Sequence, residues 1–162
     1  IDADAGGNGN FGGEPSPSTV LFFLEDQAAV MNVAAGFDTG FSFYYSAINL
    51  PGFIRVFDGL NGTGNLLARL DLPLTPFNGA PDPTGQFSPF VPIGVRFDGI
   101  ARSVDFGGSV NQIGFDNITL GSATPGNGNG VPIPTPALLP GLIGMGAAAL
   151  RKRNQEADSA EA

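Results

Sequence analysis

Carboxylate oxygen is the main chemical resource of this sequence. The 162 residues include fifteen Asp or Glu and seven Lys or Arg, but no histidine and no cysteine. Without histidine the commonest general base at neutral pH and the commonest metal ligand are both missing. Ser-His-Asp, Cys-His and His-Glu-x-x-His chemistry are therefore impossible within the chain. Without cysteine there is no disulfide framework and no thiolate metal site. Two-carboxylate hydrolysis needs a pair of acids at a fixed separation. Glu25 and Asp26 are adjacent and precede an apolar run, which reads as a turn or cap, and the other acids are scattered singly. Asp58, Asn61, Thr63 and Asn65 share one Gly-rich loop. They could offer oxygens to an ion or a sugar, but this composition is first of all turn chemistry. Tyr44 and Tyr45 are neighbours in a strand-like run, so one ring can face outward for sugar stacking while the other packs inward. With no Trp in the chain, core packing is the preferred reading. No catalytic constellation emerges, and the chain is read as a protein other than an enzyme.

The elements that would carry these groups are strands. Residues 18–121 show short apolar or alternating runs between Gly, Pro and Asn punctuation: 20–24, 29–33, 41–46, 53–57, 66–72, 95–97, 103–106 and 113–120. The run F-I-R-V-F at 53–57 alternates with Arg55 outward, and L-L-A-R-L-D-L at 66–72 puts Arg69 and Asp71 on one face. Phenylalanine supplies 14 of the 16 aromatic residues, which suits core filling without a polar handle. Such spacing predicts an all-β, antiparallel β-sandwich or jelly-roll-like domain over 18–121. Residues 78–92 hold several prolines and read as a long crossover between strands. Residues 1–17 are Gly/Asn/Asp-rich toward the start and read as a flexible lead-in. Residues 122–136 are Pro/Gly/Asn-rich and read as a linker.

Charge narrows the partners. Before residue 131 there are four Arg, no Lys and twelve acids, and the whole chain carries a net charge of −8. Phosphate binding needs a basic patch, so nucleic acid is not an expected partner. An acidic domain does, however, present many oxygens to hard cations.

The C-terminal 32 residues have a different organisation. Residues 131–137 read V-P-I-P-T-P-A, residues 137–150 are apolar without a charge, and Arg151, Lys152 and Arg153 follow at once, ahead of a polar tail over 154–162. A hinge, an apolar segment and a basic cluster form a membrane-targeting signal that must be set aside before the fold is considered. The positive-inside rule keeps the basic cluster in the cytoplasm and places everything before the span outside. As a helix, residues 137–150 span about 21 Å, short of the roughly 20 residues that cross a hydrocarbon core. Pro132, Pro134 and Pro136 cannot extend a regular helix backward. The small residues Gly141, Gly144, Gly146 and Ala147 favour close helix packing. A weak anchor of this kind suits a transmembrane-type helix that is held briefly and handed to a membrane enzyme.

Pro134-Thr135-Pro136-Ala137, the apolar L-L-P-G-L-I-G at 138–144, and Ala149-Leu150-Arg151-Lys152-Arg153 together resemble a PTPA-CTERM sorting signal, the cyanobacterial variant of the PEP-CTERM class. The resemblance covers about residues 131–153, and Ile133 stands where the PEP-type motif has Glu. It implies an exported protein, at a bacterial surface or in a biofilm matrix. An exosortase-type membrane protease would recognise the segment and process it near Pro134 to Ala137. A secretory signal is expected to precede the chain, which starts at Ile1, so the sequence is read as a mature form or a fragment. Residues 53–68 and 114–120 are similar to the β-sandwich domains that precede such signals. The closing G-F-D-N-I-T-L also resembles the last strand of carbohydrate-binding jelly rolls, in which an Asp holds a structural calcium ion. Asp116 is the matching residue here. Calcium takes six to eight oxygens from carboxylates and carbonyls, and Asp38 is the candidate second ligand. Asp38 in its Phe-Asp-Thr-Gly setting also reads as a plain turn.

The sequence thus leads to an exported surface or extracellular-matrix protein. Its expected partners are an exosortase-type protease, the membrane through 137–153 before processing, and extracellular polysaccharide. The alternative is a calcium-dependent carbohydrate-binding module. A secreted hydrolase lacking histidine is a third reading, for which one carboxylate would have to be indispensable.

Overall fold

The computed structural model describes residues 11–16, 19–24, 28–78, 85–108 and 112–126. The chain divides into two units, 1–131 and 132–162. No residue of the second unit is described, so the expected apolar helix and basic cluster over 137–153 lie outside the described residues. So does most of the expected turn at 25–28.

Among the described residues, seven strands follow one another: β1 (Ala28–Phe37), β2 (Gly40–Ser46), β3 (Gly52–Phe57), β4 (Leu66–Leu72), β5 (Val91–Arg96), β6 (Ala101–Gly107) and β7 (Gly114–Leu120). They form a four-stranded sheet in the order β1-β6-β3-β4 and a three-stranded sheet in the order β5-β2-β7. Every pairing is antiparallel. No helix occurs among the described residues. The domain is all-β, with the two sheets sharing one core.

Period-two alternation explains that core. Phe41, Phe43 and Tyr45 of β2 point to one side and meet Ile54, Val56, Val104 and Phe106 from the other sheet; all are 1% exposed or less. The rings of Phe43, Phe106 and Phe115 interlock edge to face or tilted, with centroids 5.1 to 6.4 Å apart. Each buried Phe contributes roughly 1.5–3 kcal/mol by removal from water, and each ring pair adds about 0.5–1.5 kcal/mol. The Tyr45 hydroxyl donates to the Pro73 carbonyl at 3.0 Å, and burial pushes its phenol above the ordinary range.

Three departures from the sequence expectation have plain causes. β5 begins at Val91 and takes Pro92 out of the expected crossover. Proline is accepted because β5 is a sheet edge and Pro92 is exposed. Residues 19–24 form no strand of their own; they make a single bridge through Leu21 N to Phe115 O (2.8 Å) and Phe115 N to Leu21 O (2.9 Å). The end of the expected flexible lead-in is also ordered against the sheet. Phe11 is 5% exposed and joins Phe87 and Phe90 in a satellite core with Val20, Phe22, Tyr44 and Ile48. Its ring lies 4.9 Å from Phe87 and 5.4 Å from Phe22.

Truncating Phe43 to Ala should lower the free energy of unfolding by about 3–5 kcal/mol. Phe77→Ala, at a side chain 44% exposed, should change it by no more than about 0.5 kcal/mol. Urea denaturation of the two variants beside the parent checks the contrast.

Candidate functional site

Asp116 sits in β7 and is 5% exposed. Its carboxylate accepts from the Ser16 amide at 2.7 Å, the Ser16 hydroxyl at 2.5 Å and the Asn117 amide at 2.6 Å. Asn117 has a positive φ of 48°, and the β2–β7 register slips between Ser42 and Tyr44 beside it. The local kink turns the Asn117 amide toward the carboxylate. Asp116 thus anchors a segment a hundred positions earlier in the chain, beside a small pocket of about 290 Å³ lined by Ser16, Leu21 and Ile118.

Asp38 lies in the turn between β1 and β2. Gly40 N donates to Asp38 O at 2.8 Å across Thr39, whose φ is 71°, a strained γ-turn for a β-branched residue. The side chain lines a shallow pocket of about 440 Å³ with Thr39, Arg96, Phe97, Asp98 and Gly99. Gly121 N bonds Gly40 O at 2.9 Å, so Asp38 stands by the far end of β7. Asp116 is five residues back along that strand, about 16 Å at 3.3 Å per residue. The structure does not bring the two carboxylates together. Among the described residues, no group of three or more acids is placed to hold a metal ion.

The loop over 58–65 spends its polar atoms on itself and on the sheet. Asp58 accepts from Asn65 N at 2.7 Å and Asn65 Nδ2 at 2.8 Å, while Asn61 and Gly62 take positive φ. Ser103 Oγ donates to Gly59 O and accepts from Gly62 N, and Asn61 and Asn32 bond reciprocally at 2.7 Å. Turn chemistry accounts for these residues. Tyr45 is the inward ring of its pair, and Tyr44 packs into the satellite core.

The feature that sequence reasoning passed over is the outer face of the four-stranded sheet. Alternation on β3 sends Phe53, Arg55 and Phe57 outward together, opposite Ile54 and Val56. The Arg55 guanidinium carbon is 5.0 Å from the Phe53 centroid and 5.8 Å from that of Phe57. Arg69 on β4 adds a third contact, 4.8 Å from Phe53. The register sets Arg55 directly opposite both Arg69 and Asp105. Arg55 Nε donates to Asp105 Oδ2 at 2.9 Å, and its Nη2 binds the same oxygen. Arg69 uses Nε and Nη2 on Asp71 Oδ1, at 2.9 and 2.8 Å. Cross-strand like charges are unfavourable, so each arginine is held by its own carboxylate. The F-x-R-x-F spacing was the legible signal, since any face that takes Arg55 must take both rings.

The expected sorting residues Pro134, Thr135, Pro136, Ala137, Arg151, Lys152 and Arg153 lie outside the described residues. No protein-family model matches the chain, and no curated protein matches it.

Two measurements follow. Asp116→Ala removes three bonds to a buried charge and should cost about 2–4 kcal/mol of stability, with new protease cleavage near Ser16; an uncleaved, equally stable variant would count against the anchor. The bonds from Asn65, side chain first and then backbone, hold the Asp58 carboxyl below its ordinary 3.8. Its support of the loop is therefore complete above that value and is lost as pH falls below it. An NMR titration should place the Asp58 midpoint under 3.8, and Asn65→Ala should move it back up.

Proposed function

We propose that the chain is an exported, non-catalytic protein of a bacterial surface or extracellular matrix, whose β-sandwich is delivered through a C-terminal sorting signal. The observation that carries this reading is the order Pro134-Thr135-Pro136-Ala137, an uncharged apolar run to Leu150, and Arg151-Lys152-Arg153. The basic cluster fixes the orientation, with the sandwich outside, and the short span suits a segment released to an exosortase-type protease. Two further facts support a binding rather than a catalytic domain. The whole sequence lacks histidine and cysteine. Asp58, Asp105 and Asp116 each have a structural partner.

C-terminal peptide mapping of the protein isolated from its own host tests the reading. The mature chain should end within residues 134–138. Peptides running through to Ala162 would overturn processing and make the segment a retained anchor.

A further inference from the structure

We propose that the outer face of the four-stranded sheet, centred on the Arg55–Arg69 pair, binds an acidic polysaccharide through its uronate groups. The inference deepens the surface reading above by naming what the sandwich holds. Two of the four arginines before residue 131 meet here as direct cross-strand partners. Both guanidinium groups engage an aspartate through the Nε–Nη2 edge, which leaves Nη1 on the opposite edge of each. Their side chains are 40% and 51% exposed. Two such donors on directly paired residues, both within 5.0 Å of the Phe53 centroid, match a carboxylate, which accepts charge-assisted bonds at both oxygens. Arg69 can release its present partner at little cost, because Asp71 is 76% exposed and an open ion pair of this kind is worth at most about 1 kcal/mol.

The floor of the face asks for something other than an anion as well. The Asp105 side chain is only 6% exposed, and its Oδ1 has no hydrogen-bond partner among the described residues while Oδ2 takes both bonds from Arg55. By register the carboxylate lies between Val30 and Arg55, and Val30 is 44% exposed, so a small movement of either opens the oxygen to a donor. A buried carboxylate oxygen without a donor is unfavourable. A ligand that satisfies the whole face brings a carboxylate for the arginines and a hydroxyl for Asp105, which is the chemistry of a uronate residue. The ring edges of Phe53 and Phe57 supply apolar contact for its C–H surface. An acidic peptide fits less well. β3 is an interior strand whose main chain is already paired on both sides by β4 and β6, so no strand can be added here, and a peptide lacks the hydroxyl.

The test is calorimetric titration of the full chain with polygalacturonate oligomers, beside neutral amylose oligomers and poly-glutamate. Polygalacturonate should bind saturably and weaken as NaCl is raised. Arg69→Gln should weaken it about tenfold, and Asp71→Asn, which removes the competing carboxylate, should tighten it about threefold. Arg96→Gln, on β5 of the other sheet, should change nothing. Because Arg55→Gln strands a buried carboxylate and can unfold the domain, the exposed Arg69 and Asp71 variants carry the decision. Equal binding of amylose, displacement by poly-glutamate at equal concentration, or indifference to both variants would overturn the proposal. C-terminal processing in the host is read separately, so its failure leaves the binding result standing, and the reverse.

Discussion

β2 is buried on both of its faces, and most of the architecture follows from that. Phe41, Phe43 and Tyr45 fill the space between the sheets, while Ser42 and Ser46 on the reverse side are also 0% exposed. A three-stranded sheet with a closed reverse face needs a third layer, and the chain supplies one from outside its strands. Residues 11–16, 19–22 and 85–90 cover one end with aromatic rings. Residues 121–126 fold back at the other end, where Gly126 N reaches Thr119 Oγ1 at 3.1 Å. Main chain lies directly on main chain there. A Cβ on Gly40 would stand 2.6 Å from the Ala123 nitrogen, so glycine is required by close approach rather than by its φ. Among the described residues, the Ser42 and Ser46 hydroxyls have no hydrogen-bond partner under these layers. The covering segments bury polar groups as well as rings, and packing has to offset them.

The opposite sheet solves its surface differently. No segment of the described chain lies across the outer face of β3 beyond the docked 58–65 loop, and long side chains cover it instead. Phe53 spreads over Gly107, where a Cβ would collide with the ring, so the ring replaces the missing side chain of its cross-strand neighbour. The guanidinium groups of Arg55 and Arg69 sit on that ring in turn, where a cation over an aromatic face is attracted by the ring quadrupole. The layers are ordered by dependence. Asp105 positions Arg55, Gly107 makes room for Phe53, and Phe53 offers its face to both arginines. A substitution low in this stack disturbs everything above it, whereas Asp71 at the rim can change with little effect on the fold.

Strand content was legible because period two is a local property. The alternating runs at 41–46, 53–57 and 66–72 became β2, β3 and β4 almost residue for residue. What could not be read depended on distant contacts. Nothing around Phe11 distinguishes it from a loop residue until Phe87 and Phe90 are known to lie beside it. Asp116 was marked as a ligand by the resemblance of G-F-D-N-I-T-L to a jelly-roll closing strand, and its hydrogen-bond partner Ser16, a hundred residues away, could not be read locally. Pro92 marked a crossover by composition, and only the position of β5 at an edge makes it a strand residue. Phe53 and Phe57 were obscured by a general expectation, that phenylalanine fills cores, which local alternation with Arg55 already opposed.

The two outer faces also constrain how this domain can recognise anything. Main-chain recognition requires a free edge, and three of the four edges are obstructed. β5 carries Pro92, β7 is bridged by Leu21, and β4 presents the charged Arg69 and Asp71, all devices that discourage strand addition. β1 keeps a regular register with β6 only from Ala28 to Asn32 before it bulges, which shortens the fourth. Recognition is left to side chains on a broad surface, and the reverse of the three-stranded sheet is closed by its covering segments. On the face of β3 and β4, the Arg55 and Arg69 side chains meet solvent. That face lies on the sheet opposite the one against which the last described residue, Gly126, is fastened. Gly126 and the Arg55–Arg69 pair therefore stand against different sheets.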